Sequence, residues 1–264
     1  MKKLFAILLT VATLATSLLG LVSCGGGNTD ELIVGITYYR PMNYKDAEGK
    51  LVGFETEFAE AVCAELGMTA KFQVIDWEAK VTELNAKNID CIWNGMTIDD
   101  DRKAAMGIST PYMKNKQVLV VKAENAADYT ADTDLTGKSL VAEKGSAGEN
   151  AMETDGYLNK ADYTPVTTQT NALMEVASGT ADACVIDYVA ALGSIGEGTD
   201  YEDLVVVEGL SFGDEEQYGI AFRKGDTELL AKVNDAIDKL ADNGTLKAIA
   251  EKYKLEDYLL VGKD

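Results

Sequence analysis

The sequence predicts an α/β protein of two similar lobes with a ligand cleft between them. Three observations predict it. Strand-like and helix-like patterns alternate twice, over residues 31–93 and again over 117–187, and such alternation builds largely parallel sheets covered by helices. The two runs are joined by extended segments, which leaves a crevice between the halves. The last strand of each run stops at small or polar residues, Asn94-Gly95 in one and Asp187 in the other. Open α/β sheets bind ligands beyond the carboxyl ends of their strands.

The first run opens with a strand over Glu31–Thr37. Glu55–Leu66 follows, with Phe58, Ala61, Val62 and Leu66 at helical spacing and Gly67 as the stop. Ala70–Ile75 is a strand, Trp77–Ala86 a helix and Ile89–Trp93 a strand. The chain breaks at Asn94-Gly95 and resumes at Thr97-Ile98-Asp99-Asp100, a hydroxyl cap followed by acidic residues of a first helical turn. Arg102 lies five residues after Thr97. A strand, a loop of small residues and a helix start with an arginine suit a carboxylate: backbone N–H groups favour the anion, and a guanidinium grips both oxygens. Taken alone, an arginine after three aspartates also reads as a solvated ion pair.

The second run opens with a strand over Gln117–Lys122. After Asp134–Lys138 come a strand at Ser139–Ala142 and the loop Lys144–Gly148. A helix from about Glu149, a strand at Tyr163–Val166, a helix at Asn171–Ser178 and a strand at Asp182–Ile186 complete it. The valines at 205–207 begin an extended return, and Gln217–Phe222 crosses back. Helices over Thr227–Asn243 and Thr245–Tyr253 are separated by Asn243-Gly244.

The ends and the composition bound what the protein does. Lys2 and Lys3 precede an apolar run from Leu4 to Leu19, the pattern of a signal peptide over residues 1–23. The following Leu21-Val22-Ser23-Cys24 resembles the lipobox of bacterial lipoproteins, which implies cleavage before Cys24, lipidation of that cysteine and a flexible tether over 24–30. The expected location is extracytoplasmic, anchored to the cell membrane. A formal charge of −20 argues against nucleic-acid partners, while 47% hydrophobic residues argue for a folded core. The chain has no histidine, which removes the usual general base and argues against a zinc site. Cys63, Cys91 and Cys184 each sit in apolar stretches, as buried free thiols do. No cofactor or metal is expected, and the chain is expected to be a monomer.

Asp90–Tyr112 resembles the family-3 solute-binding proteins of bacterial ABC transporters, which capture polar amino acids. That family runs Asp, a short apolar strand, two small residues, an apolar residue, Ser or Thr, then Arg, and later Ser/Thr-Pro-Tyr. Here these are Asp90, Asn94-Gly95, Met96-Thr97, Arg102 and Thr110-Pro111-Tyr112. Asp134–Ser146, Asp182-Ala183 with Asp187, and Asn243-Gly244-Thr245 with Tyr253 extend the resemblance over nearly all of 31–256. It implies the two-lobed, type II periplasmic-binding-protein-like fold, with lobe one at 31–115 and 217–264 and lobe two at 116–216.

The resemblance also implies a site. Arg102 takes the α-carboxylate of an amino acid, supported by backbone N–H groups of Thr97 and around Ser146-Ala147. Asp187 takes the α-ammonium, with the Gly95 carbonyl and the Thr97 hydroxyl. Trp77 and Tyr39 fall at stacking positions for the side-chain stem, and Asn94 stands where serine is frequent. The implied partners are a free amino acid and a membrane permease. Two departures matter. Gly53-Phe54-Glu55-Thr56-Glu57 replaces the family's Gly-Phe-Asp-x-Asp. No aspartate lies near Thr37, where members that bind cationic amino acids tend to carry one, and Arg40 is nearby instead; that points to a neutral or acidic ligand. Two other readings stay open. One is a dehydratase of cyclic amino acids on the same scaffold, with Glu55, Glu143 or a tyrosine as acid or base. The other is an amino-acid sensor module.

Overall fold

The structure, a computed structural model, describes residues 30–262. The leader, Cys24 and the glycine tether lie outside those residues. The first stretch lays down β1 (Glu31–Ile36), a small hairpin of β2 (Tyr44–Lys45) and β3 (Leu51–Val52), α1 (Phe54–Glu65), β4 (Thr69–Val74), α2 (Lys80–Asn85), β5 (Cys91–Ile92), α3 (Asp100–Ala105) and β6 (Met106–Ile108). The chain then passes through β7 (Met113–Lys122), β8 (Ser139–Glu143), α4 (Ala147–Thr154), β9 (Asp162–Val166), α5 (Gln169–Ser178), β10 (Ala183–Asp187), α6 (Tyr188–Ser194) and the long β11 (Leu204–Tyr218). It returns through β12 (Ala221–Arg223) and ends in α7 (Thr227–Asp242) and α8 (Thr245–Lys252).

Two five-stranded sheets result. The first has the order β4-β1-β5-β12-β6, the second β11-β7-β10-β8-β9. In the first, β1 lies parallel to β4 and β5, while the returning β12 is antiparallel to β5 and β6. In the second, β8, β9 and β10 are parallel and β7 is antiparallel to both β10 and β11. Among the described residues the chain passes between the sheets twice, into β7 and out of β11, and the two passages run side by side where Tyr112 N–H donates to the Tyr218 carbonyl at 3.0 Å. Both tyrosines are fully buried.

The apolar spacing read from the sequence explains the packing. Phe54, Phe58, Ala59, Val62 and Cys63 form the buried face of α1, and Val233, Ala236, Ile237 and Leu240 that of α7. Both faces join Leu32, Val34 and Ile36 in one core. Burying each large apolar side chain stabilises by about 1.5–3 kcal/mol. Trp93 points into this core, edge-on to Phe58 at 4.8 Å.

Three local differences from the sequence reading have clear causes. The helix after Asn94-Gly95 is capped by Asp99, not Thr97: the Asp99 carboxylate accepts from Arg102 N–H at 2.7 Å, whereas the Thr97 hydroxyl donates to Glu216 at 2.9 Å. The stretch after Asp187, to which the sequence reading gave no element, is α6, whose Val189, Ala190 and Ala191 form a buried face. The crossing strand is divided at Gly219-Ile220: β11 ends in the second sheet and β12 begins in the first. A β-carbon on Gly219 would lie 2.6 Å from the Ile108 side chain, so any larger residue must displace that side chain.

Candidate functional site

The loop after β5 is built on buried polar bonds. Asn94 Oδ1 accepts from Thr37 N–H at 2.8 Å and from Asn43 Nδ2 at 3.1 Å, and its own Nδ2 donates to the Thr37 hydroxyl at 2.6 Å. Its side chain therefore braces the loop against the end of β1. Gly95 has φ +54°, and a β-carbon there would fall 1.7 Å from the Tyr39 hydroxyl. Its N–H donates to Glu55 Oε1 at 2.7 Å. Glu55, from the first turn of α1, also accepts from Asn43 at 3.0 Å and from the Tyr112 hydroxyl. Burial pushes the Glu55 carboxyl up to about 7, against the pull of these donors.

Arg102 rises from α3 and is 7% exposed. Its Nη1 donates to the Thr97 carbonyl at 2.8 Å and its Nε lies 3.3 Å from Asp99 Oδ2. Its Nη2 reaches the other lobe, donating to the Gly145 carbonyl at 3.3 Å. A guanidinium has five N–H groups, so one remains on each Nη. Lys80 points at the same carbonyl, donating at 3.0 Å, with a second bond to the Trp77 carbonyl at 3.1 Å. Burial, then the Arg102 charge, pulls the Lys80 ammonium down to about 8.

On the second lobe Ser146 caps α4, its Oγ accepting from Glu149 N–H at 3.1 Å, and Ala147 is the first residue of that helix. The Ser146 N–H turns back to the Glu143 carbonyl at 3.1 Å. Asp187 ends β10 and is 5% exposed. Asn115 Nδ2 and Gln117 Nε2 each donate to its Oδ1 at 2.6 Å, and Gln169 donates to Oδ2. The same two amides also donate to Glu216 Oε2, each at 2.9 Å. Two carboxylates thus share one pair of donors. Desolvation raises the Asp187 and Glu216 carboxyls above the usual carboxylate range, and Asp187 raises Glu216 further.

The aromatic candidates are also buried. Tyr39 is 4% exposed and its hydroxyl has no hydrogen-bond partner. Trp77 is 5% exposed, with the Lys80 ammonium 4.7 Å above its ring. Arg40 lies elsewhere, 4.1 Å over the Tyr44 ring and 3.9 Å from Asp200, with its side chain 42% exposed.

Thr97, Arg102 and Gly145 therefore meet between the two sheets, and Thr97 ties them to Glu216, which shares the Asn115 and Gln117 amides with Asp187. Sequence reasoning missed Glu216, Asn115, Gln117, Gln169 and Lys80. A signal existed for two of them: Asn115 and Gln117 sit at the inward positions of a strand whose outward positions are Lys114 and Lys116. Among the described residues no cluster of three metal-ligating side chains forms, and Cys63, Cys91 and Cys184 are buried and unpaired. No helix of the described residues is long and apolar enough to cross a membrane.

The arrangement offers buried cations and carboxylates converging on one point from two lobes, as recognition of a small zwitterion requires. Known proteins resemble the chain. The chain is 34% identical over 224 residues to the L-cystine-binding protein TcyJ of Escherichia coli K12, covering 84% of this chain and 82% of that one. A solute-binding protein of an ABC uptake transporter from Streptococcus pneumoniae, solved with bound histidine, matches with TM-score 0.78 and 32% identity, over 87% of this chain and 94% of that one. An ancestral amino acid-binding protein described as a precursor of cyclohexadienyl dehydratase matches with TM-score 0.74 and 32% identity, over 84% and 95%. The family model of the bacterial extracellular solute-binding proteins, family 3, matches residues 32–256, and the chain belongs to that family.

Proposed function

We propose that this protein captures a free amino acid between its lobes and presents it to the membrane permease of an ABC transporter. The observation that carries the reading is that Arg102, from the first sheet's side, and Asp187, from the second, are both buried and near enough for the Arg102 charge to pull on the Asp187 carboxyl. In this reading Arg102 takes the α-carboxylate with its two remaining Nη donors, helped by backbone N–H groups at Thr97 and around Ser146-Ala147. Asp187 takes the α-ammonium, with the Gly95 carbonyl and the Thr97 hydroxyl. Tyr39 and Trp77 flank the side-chain stem, and Asn94 holds the loop that carries Gly95 and Thr97. Residues 31–115 with 217–264 move as one lobe and 116–216 as the other. Only the closed form satisfies both charges of the ligand, and that differential affinity drives closure. The names of the relatives support the ligand class: one binds cystine and one is solved with histidine.

No step of this function makes or breaks a covalent bond. A dehydratase reading keeps one observation, since Glu55 and Glu143 are buried carboxyls with raised pKa. Glu55 is fully engaged by Gly95, Asn43 and Tyr112, which favours a brace over a proton donor. The test is a thermal-shift screen against the twenty amino acids with cystine and ornithine, because a ligand that binds only the folded state raises its melting temperature. A shift with one or a few amino acids supports the reading; no shift with any, or turnover of prephenate or arogenate, overturns it.

The lipid anchor is part of the same proposal. Cys24→Ala should release the protein from membranes or leave it unprocessed, and a mutant that stays membrane-bound at mature size contradicts the anchor.

A further inference from the structure

The segment after α8 runs to the passage between the sheets. Leu255 is fully buried, and Glu256–Tyr258 make one turn of 3-10 helix. Leu259 then pairs antiparallel with Met113, and Leu260 N–H donates to the Tyr112 carbonyl at 2.9 Å. Tyr112 gives its own N–H to the Tyr218 carbonyl. The segment therefore lies as a third chain beside the two passages. Leu259 is 3% exposed, so it is packed there as well as hydrogen-bonded.

From this place the Tyr258 ring meets Tyr188 of the second lobe, with ring centres 5.8 Å apart and planes at 60°. Tyr188 opens α6 and directly follows Asp187. Two other contacts hold this turn. Lys116 Nζ lies 5.0 Å from the centre of the Tyr188 ring, and Val189 N–H donates to Asn115 Oδ1 at 3.3 Å. Asn115 also donates to Asp187. Lys116 and Asn115 belong to β7, in the same sheet as Asp187. Of these three partners, only Tyr258 comes from outside that sheet.

The lobes touch in this structure: Lys144 Nζ lies 2.9 Å from Glu78 Oε1, and Arg102 reaches the Gly145 carbonyl. A contact that bridges two lobes favours the arrangements that keep it. A tilted aromatic pair shifts such an equilibrium by roughly 2- to 10-fold beyond its buried area.

We propose that Tyr258 is a positioning residue for capture: its ring holds Tyr188, and through it Asp187, in the arrangement where the lobes meet. The inference rests on the amino-acid reading for what Asp187 grips, while the lobe arrangement itself is measured without ligand. The ring is what acts, so phenylalanine replaces tyrosine at 258 and alanine does not.

Two measurements on the whole protein test this. Small-angle scattering of the ligand-free protein reads the lobe arrangement. Calorimetry, with each of the twenty amino acids and cystine as probes, reads the affinity. Tyr258→Ala should raise the radius of gyration and weaken the tightest probe by about 2- to 10-fold. Tyr258→Phe should match wild type in both. Tyr188→Ala should repeat the loss, and the double variant should lose no more than either single one, as coupled partners do. A Tyr258→Ala protein that melts lower but keeps wild-type scattering and affinity has lost only a structural contact, and that result overturns the inference. Losses that add in the double variant overturn it too. If no probe binds, the amino-acid reading falls and ligand-free scattering alone decides the role of Tyr258. Should Tyr258→Ala fail to fold, Leu260→Pro takes its place. It removes only the N–H given to Tyr112 and frees the segment that carries Tyr258. A larger radius of gyration then supports the inference, and an unchanged one overturns it.

Discussion

Gly193 of α6 lies so close to Pro41 of the first lobe that a β-carbon on it would sit 2.5 Å from the proline ring. This contact joins the lobes through two residues that are not themselves assigned to the ligand. Its backbone is helical, so a larger side chain is accepted locally and refused only by the facing lobe. Gly193→Leu should therefore prop the lobes apart. We expect ligand affinity to fall by about 1–3 kcal/mol, the usual cost of overpacking, with the ligand-free melting temperature little changed. Small-angle scattering with saturating ligand should show a larger radius of gyration than in wild type. A variant that closes fully contradicts the contact as a closure surface.

Asp187→Asn keeps shape and removes charge. Affinity should drop sharply, by about 2–5 kcal/mol for a buried charged pair that loses one partner. Glu216, which shares the Asn115 and Gln117 donors with Asp187, remains. Glu216→Gln should cost less than Asp187→Asn, because Glu216 lies on the connecting strand and its oxygen already accepts from Thr97. Titration of both variants with one ligand checks the order, and the reverse order would make Glu216 the main ammonium partner.

The buried carboxyls set a pH dependence. Glu55 and Glu143 ordinarily titrate near 4.5 and in the fold near about 7 and about 8. Between those values the native state binds more protons than the unfolded one, so stability falls as pH rises. The ligand-free protein should be most resistant to denaturant on the acid side of that window and lose resistance toward pH 8. Glu55→Gln and Glu143→Gln should each flatten the slope. A denaturation midpoint that rises with pH over this range contradicts the buried, proton-holding state of these groups.

The fold was legible where periodicity is strong. The apolar faces of α1 and α7 and the strands β1, β4, β5, β8, β9 and β10 follow directly from spacing, whereas β6 at Met106–Ile108 went unread. Boundaries that depend on tertiary partners were not legible. Thr97 and Asp99 are both good caps, and the choice of Asp99 follows from Glu216, 119 residues away, claiming the Thr97 hydroxyl. The site residues that belong to a motif, Arg102 and Asp187, could be named from the sequence. Their companions could not: Asn115 reaches Asp187 through the pairing of β7 with β10, Gln169 reaches it from the first turn of α5, and Glu216 joins only through the shared Asn115 and Gln117 amides. Lys80 was hidden for the same reason: its role lies in a carbonyl of the opposite lobe.

The central claim is that Arg102 grips the carboxylate of an amino acid and does not merely balance the aspartates before it. Isothermal calorimetry of wild type and Arg102→Ala, with the tightest ligand from the thermal-shift screen, tests it most directly. Loss of a charge-assisted, two-pronged contact should weaken binding by about 2–5 kcal/mol, with the fold retained by circular dichroism. An affinity equal to that of wild type would return Arg102 to a structural ion pair with Asp99 and contradict the account.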